Sequence, residues 1–129
     1  KDKLIPEARG DLAFAEENYN KLSCLPESDG VGDEEIDKWY KLQLKMRRDF
    51  VKINKKRLSI YIYCHNRDEV NFITSYNKWL EMENKLLLDI SSSSEKGSEE
   101  IVEKYRNEFQ QRQESYKCIS LVQFGNNLE

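Results

Sequence analysis

The run DEEIDKWYKLQLKMRRDFVKINKKRLSIYIYCH, residues 33–65, decides the fold. It holds no glycine and no proline, so nothing in it breaks a helix. Ile36, Trp39, Gln43, Met46, Phe50, Ile53, Arg57, Ile60 and Cys64 recur at alternating gaps of three and four. That spacing draws one heptad-like seam along a single helical face, with Gln43 and Arg57 as its polar interruptions. Asp33 can cap the helix, and Glu34, Glu35 and Asp37 suit the positive end of its dipole. At the helical rise the run is about 50 Å long, so it must pack against something large or bend. Ser59-Ile60-Tyr61-Ile62-Tyr63 has strand propensity. The seam passes straight through it, and a helix is the expectation there.

The flanks follow from the same punctuation. Upstream, Ser23 to Gly32 contains Leu25-Pro26-Glu27 and two glycines and reads as a loop. Before it, Asp11 can cap a first short helix to Leu22, with Leu12, Ala15, Tyr19 and Leu22 on one face. Downstream, a helix is expected from about Asn66 or Asp68 to Ile90. Val70, Ile73, Tyr76, Leu80 and Leu87 line one side of it, and Phe72, Trp79 and Leu86 widen that apolar face, as in a central helix. Residues 91–97, four serines followed by Glu-Lys-Gly, read as a flexible polar link. Ser98 can cap a last helix that presents Ile101, Tyr105, Phe109, Tyr116 and Ile119, and Gly125 suits its left-handed end. The expected fold is all-α, an antiparallel bundle of three main helices plus a short N-terminal helix. It forms a single domain over residues 1–129, with 1–10 and 91–97 flexible.

Composition supports this class. The chain has 129 residues, enough for one domain with one core. Its 35% charged residues stand well above the roughly 25% of an average soluble domain, yet an 11% aromatic share is too large for a disordered chain. Five glycines and two prolines leave little room for the tight turns of an all-β domain. No apolar run approaches the roughly 20 residues that span a bilayer, and the opening residues carry no signal-peptide core. Cys24, Cys64 and Cys118 are odd in number and widely spaced, so ordinary thiols in a reducing compartment are expected.

Catalytic chemistry finds no constellation. His65 is the only histidine, and Cys64 beside it points about 100° away around a helix, so the two do not make a dyad. A place at a helix C-terminus explains His65. No glycine-rich phosphate loop occurs. Glu34-Glu35 and Glu99-Glu100 open predicted helices, where the dipole accounts for them. Trp39 and Trp79 lie on apolar stripes, and with Phe50 they are expected in the core. No enzyme activity, cofactor or metal site is expected.

Charge is the informative feature. Residues 1–37 carry four basic and eleven acidic side chains, residues 38–57 nine basic and one acidic, and residues 58–129 eight basic and twelve acidic. Within the basic stretch Lys38, Lys41, Lys45, Arg48, Lys52 and Lys55 repeat at gaps of three and four, two positions on from the apolar seam. Two positions are about 200° around the helix, so the stripe lies opposite the buried face and is about 25 Å long. Its five neighbouring like-charge pairs cost on the order of 1–2.5 kcal/mol. A solvated face that tolerates this cost, neutralisation by Glu99, Glu103 and Glu114 of the last helix, and a docking surface for an acidic partner are the three readings. Nucleic acid is disfavoured by the pI of about 5.4 and the lack of a known motif. An anionic membrane is disfavoured because the apolar face is needed for the core. An acidic protein segment fits best, and the seam also permits pairing with another copy of the chain.

From Leu22 to Ile90 the sequence resembles the PHIST domain of exported malaria-parasite (Plasmodium) proteins. The matching features are Leu25-Pro26-Glu27, an acidic spacer, Asp37-Lys38-Trp39-Tyr40, Arg47-Arg48-Asp49-Phe50, Tyr61 and Tyr63 at a helix end, and Lys78-Trp79-Leu80. The family often carries a second tryptophan near the position of Trp79, where this chain has one, and an export motif upstream. The resemblance implies a helical bundle delivered to the cytosol or membrane skeleton of the host red cell. There it would act as an adaptor on acidic cytoplasmic tails of surface adhesins or on membrane-skeleton proteins.

Overall fold

The computed structural model describes residues 3–24, 34–92 and 99–128. They form four helices: α1 (Leu4–Ser23), α2 (Glu34–His65), α3 (Glu69–Ser92) and α4 (Glu99–Phe124). No strand occurs among the described residues, and Ser59–Tyr63 lies inside α2. Asp33, Ser98 and most of the two expected loops lie outside the described residues.

The first helix is not short. It begins at Leu4, seven positions before Asp11, and takes in residues 4–10 that the sequence reading left as a loose lead. Pro6 is the third residue of α1, where the backbone N–H it lacks has no intrahelical acceptor. Ala8, Ala15 and Leu22, spaced by seven, are buried. The small side chains of Ala8 and Ala15 let α1 lie close on α2. Tyr40 Oη donates to Leu22 O at 3.1 Å and Arg47 Nη1 to Asn18 O at 2.8 Å, while Arg57 Nη1 sits 3.4 Å from Asp11 Oδ2. Contacts that advance on α2 as they retreat on α1 make the two helices antiparallel.

The turn into α3 is built by hydrogen bonds and one strained residue. Arg67 adopts φ 58°, the left-handed conformation that ends a helix. Asp68 then caps α3: its carboxylate accepts from Asn71 N at 3.2 Å and from Asn71 Nδ2 at 2.6 Å. α3 runs back along α2, and Lys45 meets Asp89 near its far end. α4 closes on α3 and touches the lower part of α2, where Gln123 Nε2 donates to Cys64 O at 3.0 Å. It ends at Gly125 with φ 65°, whose N–H reaches Leu121 O at 2.9 Å.

The centre is aromatic. Trp79 is 0% exposed and packs edge-on against Tyr116 (ring centroids 4.8 Å apart) and Phe109 (5.3 Å), with Tyr76 at 5.9 Å. Such pairs add roughly 0.5–1.5 kcal/mol each beyond area burial. The buried residues of α3 are Phe72, Ser75, Tyr76, Trp79, Glu83, Leu86 and Leu87; Tyr76 and Leu87 come from the expected face, and Phe72, Trp79 and Leu86, expected to widen it, are buried as well. Val70, expected on that face, is exposed, and so is Ile101 of α4.

Trp39 corrects another expectation. It is 57% exposed, and Ile36 beside it is 51% exposed. The seam continues in the sequence, but its partners stop. With Lys45 level with Asp89 and α3 ending at Ser92, the first two turns of α2 project past the described part of α3. Phe50 is half-buried against the core, and Ile53, Arg57 and Ile60 are buried.

Candidate basic docking face

The stripe lies where its phase put it. α4 reaches α2 at Arg57, Tyr61 and Cys64, all on the seam side, and α1 and α3 flank the helix. The described helices leave the sector opposite the seam open, and Lys38, Lys41, Arg48, Lys52 and Lys55 are exposed along it. Two of the carboxylates expected to neutralise it pair on α4 itself: Glu103 with Arg106 at 2.9 Å and Glu114 with Lys117 at 3.9 Å.

The six cations fall into two kinds. Lys45 is half-buried and structural. Its Nζ lies 2.5 Å from Asp89 Oδ2 and 3.6 Å from Asp49 Oδ2, fastening α2 to α3. The hydrogen bond to Asp89 holds its pKa above the ordinary lysine value. Lys41 pairs with Asp37 at 3.0 Å, one turn back on the same helix and open to solvent, where such a pair is worth a few tenths of a kcal/mol. Lys38, Arg48, Lys52 and Lys55 make no ion pair among the described residues.

Two buried polar centres escaped the sequence reading. Arg57, read there as an interruption, spans three helices. Its Nε donates to Tyr116 Oη at 3.2 Å, and its Nη1 donates to Asn54 Oδ1 at 3.0 Å and faces Asp11. Glu83, on α3, is 0% exposed; one carboxylate oxygen accepts from the Tyr105 hydroxyl, and the other is 3.8 Å from Arg112 Nη1. Burial pushes the Glu83 carboxyl above the usual carboxylate range, and Tyr105 and Arg112 oppose that shift. The signal was the run Phe72, Tyr76, Trp79, Glu83, Leu86, Ile90, whose gaps of four and three put a carboxylate in register with the apolar stripe.

His65 is exposed as the last residue of α2, and burial pushes the half-buried Cys64 thiol up. The described residues contain no cluster of three or more His, Cys, Asp or Glu able to hold a metal ion. No helix among them is long and apolar enough to cross a membrane. Comparison with protein-family models, curated proteins and solved structures finds no match.

Proposed function

We propose that this chain is a non-catalytic interaction domain, an adaptor of PHIST type, that docks an acidic polypeptide segment along the outer face of α2. The observation that carries the reading is the set Lys38, Arg48, Lys52 and Lys55: four exposed cations in one row with no ion pair among the described residues. The same helix pairs Lys45 where the bundle needs a fastener. A row left unpaired keeps its repulsion in the free domain and loses it when carboxylates arrive. By the family resemblance, the partner is an acidic cytoplasmic tail of an adhesin or a membrane-skeleton protein of the host red cell.

Self-assembly along the whole α2 seam has a physical obstacle. Ile53, Arg57 and Ile60 are already buried within the chain, so a second copy would have to open the bundle.

The test is titration of a fluorescent oligo-glutamate peptide, with short DNA and RNA duplexes as competitors. The expected outcome is binding that weakens as salt rises and weakens again in the Lys52→Glu, Lys55→Glu double variant. Binding with unchanged affinity and salt dependence in that variant would make the row a solvated face.

A further inference from the structure

The seam between α2 and α3 is closed at one end by opposite charges and carries more cations than anions further along. On α2, Lys45, Asp49, Lys52 and Lys56 share one edge, at i, i+4, i+7 and i+11, and Lys45 shows that this edge faces α3. On α3, Asp89, Lys85, Met82 and Lys78 share the matching edge, stepping back by four, three and four. Because the helices are antiparallel, Lys85 comes level with Asp49 and Lys78 with Lys56. Arg48 and Lys55 stand just outside this seam on the open face of α2.

The charges around it are unequal. Arg48, Lys52, Lys55, Lys56 and Lys85 make no ion pair among the described residues. Asp49 and Asp89 are both taken by Lys45. Glu81 faces Lys78 at 3.4 Å, with both side chains more than half exposed, so that pair is weak. A seam built only for stability would repeat the Lys45–Asp89 arrangement. Here Lys85 comes level with Asp49, whose carboxylate Lys45 already holds, Lys52 comes level with Met82, and Lys56 faces Lys78 as a like charge.

We infer that the docking face is two rows wide, with Lys78 and Lys85 of α3 forming the second row, and that it takes an extended polypeptide with consecutive acidic residues. This rests on the reading of α2 as the site of an acidic partner. The rows lie on adjacent helices, roughly 8–10 Å apart axis to axis. In an extended chain successive side chains point to opposite sides. Consecutive carboxylates would therefore serve the two rows alternately. The acidic stripe of a helix, at gaps of three and four, would serve one row only.

The experiment compares two paired variants, Lys52→Gln with Lys55→Gln and Lys78→Gln with Lys85→Gln, titrated with oligo-glutamate at low and high salt. All four residues are exposed, and circular dichroism checks the fold of each variant. Each pair is expected to weaken binding about threefold to tenfold at low salt, and less at high salt. Loss in the α2 variant with wild-type binding in the α3 variant would overturn the second row and leave the first reading standing. No loss in either would overturn both. A short DNA duplex that displaces the peptide at equal charge concentration would overturn the assignment of the partner as a polypeptide.

Discussion

Glu83 is the residue whose environment most contradicts its chemistry. A carboxylate with no exposure has one hydroxyl donor, one guanidinium at 3.8 Å and an oxygen without a hydrogen bond. Burial dominates and raises its pKa in the folded state. The folded protein then holds a proton that the unfolded chain has released, so stability is highest below the ordinary glutamate value. It falls as pH rises through the raised one. Glu83→Gln removes that dependence while keeping an acceptor for Tyr105. The expected outcome is a variant as stable as wild type or more stable by about 1 kcal/mol at neutral pH. Its advantage should shrink as pH falls toward the ordinary glutamate value. Urea melts of both proteins across that range check it, and a gap independent of pH would show that Arg112 and Arg57 already compensate the charge. Neither Glu83 nor the span of Arg57 was legible from single positions. A charged residue on an apolar stripe looks the same in sequence whether it snorkels to water or finds partners on another helix.

Helices were legible where pattern is strong, and their ends where glycine or a cap fixes them. α2 ends at His65 as read, the cap of α3 is Asp68, and α4 stops before Gly125. The start of α1 was missed because Pro6 and Gly10 look like breakers, although the first is harmless in a first turn and the second costs only propensity. The two described glycines therefore respond in opposite ways. A Cβ on either meets nothing within 4 Å, so only backbone conformation matters. Gly10, inside α1, gains helix propensity on replacement, and Gly10→Ala is expected to stabilise by about 0.5–1 kcal/mol. Gly125 sits at φ 65°, and Gly125→Ala is expected to destabilise by about 1 kcal/mol. Thermal melts of the two variants against wild type read both signs at once. A stabilised Gly125→Ala would mean that the left-handed cap is not formed in solution. Trp39 shows the opposite failure of pattern reading. The seam is buried at Ile53, Arg57 and Ile60 but not at Ile36 and Trp39, because burial depends on where the neighbouring helices end, and that is not written in the local sequence.

At the scale of the whole molecule, cations of α2 and α3 gather on one outer face of an aromatic bundle among the described residues. The open position of the stripe was legible because helical phase alone sets it. The pairing of Lys45 and the added cations of α3 were not, because they depend on which helix packs beside α2. Lys52 is the position that separates structural from functional demands. It is exposed, and Arg48 and Lys56 stand four residues to either side with Lys55 three away. Lys52→Glu turns these three repulsions into attractions and turns the attraction to Asp49, three residues before, into a repulsion, each pair being worth about 0.2–0.5 kcal/mol, so the free domain should gain about 1 kcal/mol net in low salt. The gain should fade as salt screens it. A residue kept for the fold would not be improved so simply, whereas a residue kept for binding would be improved in stability at the expense of affinity. Urea denaturation of the variant at two salt concentrations, beside its affinity for oligo-glutamate, measures the trade. Higher stability with weaker binding is the expected pair of results. Lower stability in low salt would mean that the attraction of Lys52 to Asp49 outweighs its repulsion from the neighbouring cations, and the α2 face would then be part of the bundle's own electrostatics.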